Sequence, residues 1–443
     1  MKKCIIVLLF MIIAAGCSSQ EQLNVPPQEQ ELPNIVPTPE TIVTEQAEPT
    51  VVPKQAVADS FDIFNPQLTY DGAYNGPLYG TSEQVGSADM DDYFKLLDRN
   101  GINFFIGMFG IEGEPTAETL TSDDGLGKVI DAVQKHPHRV VPFFNPGIGG
   151  EDVEQYLGDT LTGMYRKTLR ASKAIAGDDF IRGFGEVETQ EWQARHDDPR
   201  VIQLVELART NNIHVMYHPV ASKIDDVEEL AEKYPDITFL IHMYREDLDK
   251  SKSRLIKIVQ ERDNIYFSMD AAHIIHVNNM DIIYDYDSAN AQSSISKLVS
   301  TYDSKEKSLV ASAIDAYKPL VDAAPDKIMW GTEIGPAYAF DEEVFDRAVK
   351  ASRLVIAGFD KADQEAVGYK NALRVFGQGV TVDAAIEVMD TAAWADCTDD
   401  QMGSCDESCE IPDGDFLTAE QDACFSRCLI EEQCTEVIEM DIG

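Results

Sequence analysis

Between residues 61 and 331, short apolar runs alternate with segments in which apolar residues recur every three or four positions. Short runs that are apolar throughout are typical of parallel strands buried on both faces, and the longer periodic segments are typical of amphipathic helices. The predicted helices include residues 90–100, 125–136, 201–211, 227–233 and 252–262. The predicted strands are residues 61–68, 102–109, 139–145, 180–186, 213–217, 237–241, 264–270 and 327–331.

This alternation predicts a (β/α)8 barrel of the TIM type, in which eight parallel strands close into a ring inside a ring of helices. An open, doubly wound sheet is the competing architecture, but no glycine-rich phosphate loop follows the first predicted strand. The longest gap between strands, from 270 to 327, predicts an insertion in the seventh strand-to-helix connection. In a barrel these connections lie at the carboxyl ends of the strands, which we call the mouth.

Four predicted strands end at or just before a residue that can bind a metal or move a proton: Glu186, His218, His242 and Glu333. Because the carboxyl ends of barrel strands converge, we expect these four side chains to meet at the mouth. Glu333 follows Trp330-Gly331-Thr332 at the end of a core strand, where a carboxylate is costly without a partner or a function.

Each of these residues also has a purely structural interpretation. An isolated histidine at a strand end is commonly a hydrogen-bonded structural residue, although two at equivalent ends of consecutive strands favour a functional site. Glu186 could simply pair with Arg182 or Arg195 on the surface. The sequence is compatible with both interpretations.

The charge of the chain limits its partners. With 36 Lys+Arg against 78 Asp+Glu, the formal net charge is −42. Such a chain repels phosphate backbones, so no nucleic acid partner is expected, and cations, neutral ligands or basic partners suit it better. At 443 residues and 44% hydrophobic content, it can bury one large core and still carry appendages.

Two segments before the barrel are predicted to export and tether the protein. Residues 1–16 combine early lysines, an apolar run and small residues in the manner of a signal peptide, and Ala14-Ala15-Gly16-Cys17 resembles the lipobox of prokaryotic lipoproteins. This resemblance implies that Cys17 is lipidated and anchors the protein to a membrane at the cell surface; plain secretion and an uncleaved anchor are the alternatives. Residues 17–58 contain seven prolines and are predicted to form a disordered tether.

Residues 381–443 are predicted to form a separate, acidic helical tail. Two C-x₃-C units place cysteines on one face of a helix turn, and disulfides would replace the core that this composition cannot build. We expect the pairs Cys405–Cys428, Cys409–Cys424 and Cys397–Cys434, one of 15 possible connectivities. Zinc binding is the weaker alternative, because the tail contains no histidine and an exported chain meets an oxidising setting.

Six motifs follow one another within the predicted barrel, residues 59–380. They are GFGEVE (183–188), HVMYHP (214–219), FLIHMYRE (239–246), NIYFSMD (264–270), KIMWGTEIGP (327–336) and NALRVFG (371–377). Their order and spacing resemble the amidohydrolase-related branch of the metal-dependent hydrolase barrels, over roughly residues 61–377.

The resemblance implies roles for the four strand-end residues. His218 matches the strand-five metal ligand, and His242 matches the strand-six histidine. Glu333 matches the strand-eight carboxylate, with glutamate in place of aspartate. Glu186 ends strand four, where relatives place a carboxylate or a ligand.

The important departure is in strand one. Where the family has Asp-x-His-x-His, the predicted first strand of this chain has Asn65-Pro66-Gln67-Leu68-Thr69. Both expected histidines are therefore missing, and Gln67 and Thr69 offer only oxygens that bind Zn²⁺ poorly.

The resemblance therefore implies a hydrolase, or a related lyase, acting on a small amide, ester, lactone or carboxylated ring compound. One divalent metal, Zn²⁺ by preference, would be held by His218, His242 and Glu333, with Glu333, His242 and Glu186 as catalytic residues. The family also permits metal-independent catalysis, with Glu333 as general base and a histidine polarising the scissile carbonyl. A non-catalytic ligand-binding barrel displayed at the cell surface is the alternative.

Overall fold

The computed structural model describes residues 63–85, 88–110, 125–145, 169, 172, 180–188, 194–270, 291–333 and 337–381. All of them belong to one compact unit, residues 56–443. The predictions for the signal peptide, Cys17, the tether and the six tail cysteines lie outside the described residues, as do the domain boundaries built on them. None of the described helices is long and apolar enough to cross a membrane.

Eight parallel strands form one sheet in which each strand pairs with the next along the chain. This is the order of a (β/α)8 barrel, as predicted. The strands are β1 Leu78–Gln84, β2 Ile102–Gly110, β3 Val140–Asn145, β4 Gly183–Val187, β5 His214–Tyr217, β6 Phe239–Ile241, β7 Ile265–Asp270 and β8 Ile328–Gly331.

Helices lie between the strands and follow the last one. The α-helices are α1 Met90–Asn100, α2 Gly125–Lys135, α3 Pro199–Thr210, α4 Ile224–Lys233, α5 Arg245–Glu261, α6 Ala291–Ala323, α7 Glu342–Ala357, α8 Lys361–Glu365 and α9 Asn371–Phe376. A π-helical turn, Ala366–Lys370, joins α8 to α9, and short 3₁₀ turns occupy Ala221–Lys223 and Ala337–Phe340. Each of the five predicted helices is confirmed to within a few residues, except that α5 begins seven residues earlier, at Arg245.

The first and last strands are joined by side chains. Thr81 Oγ1 donates a hydrogen bond to the carbonyl oxygen of Trp330 at 2.9 Å. One step closer to the mouth, the backbone N–H of Thr332 donates to Oε1 of Glu83 at 3.2 Å. Both bonds are buried, so they link β1 to β8 in a low-dielectric setting where an unpaired polar group is costly.

The alternation of side chains along the strands separates two cores. One set packs between the sheet and the surrounding helices, as expected for strands buried on both faces. The other set fills the inside of the barrel and consists of Tyr79, Phe104, Ile106, Met108, Val141, Phe143, Met216, Leu240, Met329, Ala372 and Phe376. The barrel interior is therefore packed, and an open site can exist only above this layer, at the mouth.

The motif NALRVFG closes the opposite, amino-terminal end of the barrel. The side-chain amide of Asn371 donates to the carbonyl oxygens of Pro325 and Ile328, at 2.7 and 2.8 Å. The ring of Phe376 packs edge-on against those of Phe143 and His214, with centroids 6.0 and 4.9 Å apart. This motif stabilises the barrel far from the mouth.

The predicted first strand is wrong. Residues 63–68 are not a strand, and the backbone N–H groups of Gln67 and Leu68 both donate to the carbonyl oxygen of Arg99, at 3.0 Å. Arg99 lies at the end of α1, just before β2 begins, so this segment crosses the amino-terminal end of the barrel. Its aromatic and aliphatic residues imitate a strand, whereas the real β1, Leu78–Gln84, is mostly polar or small and carries a weak hydrophobic signal.

The expected insertion between β7 and β8 is resolved in part. Residues 271–290 lie outside the described residues. The rest is α6, a 33-residue helix that packs beside α5 and α7 in the outer ring and contains Pro319. More than half of the long gap is therefore a crossover helix, and the predicted insertion at the mouth stays a prediction.

Candidate active site

Glu186, His218, His242 and Glu333 meet at the mouth, and we call them the mouth cluster. Glu186 lies in β4, His218 and His242 directly follow β5 and β6, and Glu333 follows β8 after Thr332. All four are buried, and one potential ligand atom of each lies within 4.8 Å of those of the others. Parallel strands with a common register at the mouth explain why residues far apart in the sequence converge here.

Glu186 occupies the centre of the mouth cluster. Its Oε1 accepts a hydrogen bond from Nδ1 of His218 and lies 2.9 Å from Nε2 of His242. Its Oε2 accepts from Nε2 of Gln84, at 3.1 Å. Burial alone would raise the pKa of Glu186, but the charges of His242 and His218 and their hydrogen bonds outweigh it and lower the pKa to about 2. The surface pairing with Arg182 or Arg195 is therefore not its main interaction.

His242 lies between two carboxylates. Its Nδ1 is 2.8 Å from Oε2 of Glu333, and its Nε2 faces Glu186. Nδ1 donates to Glu333, and the two flanking carboxylates together favour the doubly protonated, positively charged imidazole. Burial alone would lower the pKa of His242, but Glu186 and Glu333 together outweigh it and raise the pKa well above its ordinary value.

His218 offers the site a nitrogen that is not engaged. Its Nδ1 faces Glu186 and lies 3.5 Å from Oε1 of Glu188, a half-buried carboxylate just beyond β4. Among the described residues, its Nε2 has no hydrogen-bond partner, although it is buried. A buried and unpartnered nitrogen is costly unless a ligand satisfies it, so Nε2 is a candidate metal ligand.

Glu333 reaches the mouth cluster through an unusual backbone conformation. Its φ angle is 52°, in the left-handed region that a glutamate rarely adopts. Two residues earlier, a Cβ on Gly331 would collide with the hydroxyl groups of Ser82 and Ser268, so only glycine lets these strands approach so closely. Non-glycine residues in this region are enriched at functional sites.

Several residues at the mouth were not identified from the sequence. Gln84 and Glu83 end β1 and were missed because that strand was placed at residues 61–68. Glu188 lies two residues beyond Glu186, and Tyr244 lies two residues beyond His242. Nearness in the sequence to a predicted site residue is therefore the signal that could have identified them. Tyr244 is 40% exposed, and its ring lies edge-on to that of His218 with centroids 4.4 Å apart.

The two residues that stand in place of the strand-one histidines in the sequence do not lie at the mouth. Gln67 and Thr69 are exposed and lie on the segment that crosses the amino-terminal end of the barrel. At the carboxyl end of β1, the polar residues facing the site are Ser82 and Gln84, which contact Ser268 and Glu186. Strand one therefore contributes a hydroxyl and an amide to the mouth and no imidazole.

The donor set of the mouth cluster fits one divalent metal ion. Two imidazoles and two carboxylates are ligands that Zn²⁺ and related cations accept. The unpartnered Nε2 of His218 and the surplus of buried carboxylates over cations both favour a metal ion at this place. The predicted ligands His218, His242 and Glu333 are thus joined by Glu186.

Comparisons with known proteins identify the family of the chain. Residues 117–378 match the profile of the family described as amidohydrolase, and the matched span begins after β2. Among curated proteins, no sequence matches the chain.

Two solved structures illustrate the likeness. An amidohydrolase from Burkholderia multivorans with bound zinc is 12% identical, with 68% of this chain and 100% of that chain covered and a TM-score of 0.41. An L-hydantoinase (dihydropyrimidinase) from Arthrobacter aurescens is 8% identical, with 70% and 73% covered and a TM-score of 0.40. Because the family profile spans more than half of the 443 residues, the chain belongs to the amidohydrolase family and is a hydrolase-like enzyme.

Proposed function

We propose that this protein hydrolyses a small amide, ester, lactone or carboxylated ring compound at a single divalent-metal site formed by the mouth cluster. The observation that carries the proposal is the convergence of two imidazoles and two carboxylates, all buried, with ligand atoms within 4.8 Å of one another. Zn²⁺ is the preferred occupant, since it tolerates mixed nitrogen and oxygen ligands in a four-residue set.

A bound metal ion would supply Lewis acidity, lowering the pKa of a water molecule and polarising the scissile carbonyl. The protein supplies proton transfer and orientation. Glu333 holds His242 through Oε2, which leaves Oε1 to accept a proton from the attacking water. Glu186 fixes both histidines through Oε1, and Gln84 fixes Glu186 in turn. Outer partners of this kind commonly change metal affinity or activity by about 10–100-fold.

A metal-independent version of the same reaction is supported by the position of His242. An imidazolium between two carboxylates, at 2.8 and 2.9 Å, is a preformed cation at the place where a metal ion would lie. Its positive charge would stabilise the negative charge that develops on the carbonyl oxygen. Metal analysis of the purified full chain decides between the versions: about one Zn²⁺ per chain and loss of turnover with a chelator support the metal-dependent one.

The substrate is expected to carry a flat or apolar part beside its reactive group. Tyr244 is exposed at the mouth and packs against His218, so its ring forms a wall next to the mouth cluster. An aromatic wall favours rings and unsaturated groups by stacking and by covering their apolar faces.

The decisive experiment is a turnover screen of small amides, esters and lactones with the full chain, loaded with Zn²⁺ or metal-free. Glu333→Gln should abolish the activity that the screen detects. The control is Glu228→Gln, the same change in a largely buried carboxylate that pairs with Arg254 and Arg262 on the outer helices. A ligand that binds at the mouth without any turnover would favour the binding-barrel alternative.

We propose in addition that the protein is exported and held at the cell surface through a lipid on Cys17. Support for this comes from the order of charged, apolar and small residues before Cys17. Expressed in a bacterial host, the wild-type chain should partition into detergent, and Cys17→Ser should release it to the soluble fraction. Detergent-independent solubility of the wild-type chain would contradict the anchor.

A further inference from the structure

Glu83, at the mouth end of β1, is a fully buried carboxylate outside the mouth cluster. It is 1% exposed and accepts three hydrogen bonds. Thr332 provides two of them, from its backbone N–H at 3.2 Å and from its hydroxyl group. The hydroxyl of Tyr93 in α1 provides the third, at 3.2 Å. Among the described residues no other hydrogen bond reaches this carboxylate, so its polar contacts are with Thr332, which follows β8, and with α1.

Thr332 is the residue directly before Glu333. Two of its polar groups, one on the backbone and one on the side chain, are held by the same carboxylate, so its backbone and its rotamer are both restrained. Glu333 then follows with a φ angle of 52°. Because a glutamate does not adopt this conformation readily, the preceding residue must be held for the Glu333 side chain to point consistently at His242.

We propose that Glu83 is a positioning residue: it holds Thr332 and thereby aims the carboxylate of Glu333 at Nδ1 of His242. In this chain β1 brings no histidine to the mouth. Besides Ser82 and Gln84 it provides Glu83, whose carboxylate holds the residue before the strand-eight glutamate. The consequence for catalysis rests on the proposed function, whereas the geometric part of the inference does not.

A simpler role for Glu83 is to join β1 to β8 and stabilise the barrel. Thr81 already joins the same strands through the carbonyl oxygen of Trp330. The two roles differ in what happens at His242. If Glu83 only links the strands, its loss lowers the stability of the protein and nothing else. If Glu83 positions Glu333, its loss also disturbs the hydrogen bond between His242 and Glu333.

The test uses the metal-free full chain with ¹⁵N-labelled histidine, and it observes the Nδ1–H proton of His242 by NMR. Glu83→Leu should shift or broaden this signal, because Thr332 loses both of its contacts with the residue 83 side chain. Glu83→Gln should preserve it, since the amide oxygen can accept from the Thr332 N–H and the amide group can donate to both hydroxyls. Thr332→Val, which removes one of the two contacts, should give an intermediate result.

Two controls separate positioning from general destabilisation. Tyr93→Phe removes the third hydrogen bond to Glu83 and leaves both contacts with Thr332, so the His242 signal should not change. Ser352→Ala removes a buried hydroxyl that donates to the carbonyl oxygen of Ala348 in α7, and it reports the effect of losing a buried hydrogen bond far from the mouth.

If Glu83→Leu or Thr332→Val folds, as judged by circular dichroism, and leaves the His242 signal unchanged, the proposal is wrong. If Glu83→Leu fails to fold, Thr332→Val decides by itself.

Binding of Co²⁺, followed by its visible absorption, is the second measurement. The dissociation constant should rise about 10–100-fold in Glu83→Leu and less than threefold in Glu83→Gln, in line with the usual effect of residues that orient metal ligands. If the wild-type chain binds no Co²⁺ and has no activity, the proposed metal-dependent function fails. The NMR comparison still decides the role of Glu83, because it uses no metal.

Discussion

Nδ1 of His242 lies 2.8 Å from Oε2 of Glu333, although the two residues are 91 positions apart in the chain. Both are buried, so the pair forms away from bulk water, where an unpartnered charge would be costly. The same imidazole meets Glu186 through its other nitrogen. A proton or a metal ion must therefore balance the two carboxylates, and which of them is present sets the chemistry of the mouth.

Replacing Glu333 by glutamine is expected to lower kcat by about 10²–10⁴-fold while the fold is kept, because the change is nearly isosteric and removes the proton acceptor. The comparison is with Glu228→Gln, which should retain the wild-type rate. Circular dichroism and thermal unfolding check that both variants are folded. Wild-type turnover in Glu333→Gln would remove this residue from the mechanism.

Binding of Zn²⁺ is expected to release a proton from His242. Burial opposes the charged imidazole, but Glu186 and Glu333 raise the pKa of His242 well above its ordinary value, so the metal ion must displace that proton. If one proton leaves, the dissociation constant should fall about tenfold for each unit of pH between 6 and 8. Calorimetry in two buffers of different ionisation enthalpy measures the number of protons. Binding without proton release would show that His242 is neutral in the free protein.

The metal-free protein is expected to lose stability as the pH rises. The raised pKa of His242 contributes stability that is fully present below its unfolded value of about 6.5 and is lost as the pH rises through the folded value. Burial also raises the pKa of Glu83, from 4.5 to about 7, which makes its ionisation unfavourable to folding over that interval. The lowered pKa of Glu186 acts at the other end, where stability is lost as the pH falls from 4.5 towards 2.

Urea unfolding at several pH values measures these effects. The free energy of unfolding should be greatest near pH 5 and should decline towards pH 9. Glu83→Gln should remove the part of the decline in unfolding free energy that lies between pH 4.5 and 7. Saturating Zn²⁺ should flatten the remaining decline, which is due to His242. A stability that increases from pH 5 to pH 9 would contradict a charged His242 in the free protein.

A histidine at the end of β1 is expected to strengthen metal binding. Gln84 contacts Glu186 at 3.1 Å, so Gln84→His places an imidazole beside the mouth cluster. We expect its Zn²⁺ dissociation constant to fall by about tenfold, which is the lower end of the effect of a single residue beside a metal site. Gln67→His is the matched control and should have no effect, because Gln67 is exposed at the opposite end of the barrel. Equal effects from both variants would show that β1 has been assigned to the wrong residues.

Tyr244 is expected to contribute to substrate binding more than to the chemical step. Tyr244→Ala should raise KM by about tenfold for substrates with a planar ring, as the loss of one aromatic contact predicts, and should change kcat little. Tyr244→Phe keeps the ring and should resemble the wild type. If Phe and Ala are equally damaging, the hydroxyl group is what matters, and Tyr244 takes part through a hydrogen bond.

The sequence alone was enough to predict the barrel and the four residues of the mouth cluster. Strands β2 to β8 are buried on both faces, so each appears as a continuous apolar run, and parallel strands in a ring must bring their carboxyl ends together. For that reason Glu186, His218, His242 and Glu333 could be selected from their positions at strand ends. The six tail cysteines and Cys17 stay predictions, since they lie outside the described residues.

Only the tertiary structure located β1 and the residues that it brings to the mouth. Leu78–Gln84 has few large apolar side chains, and its place in the sheet is determined by pairing with β2 and by bonds to β8, neither of which a local pattern contains. The contacts of Glu83 with Thr332 and of Gln84 with Glu186 span 249 and 102 positions. Hydrophobic periodicity records which face of an element is buried, whereas pairs this distant depend on how the elements pack, and that is decided by the folded chain as a whole.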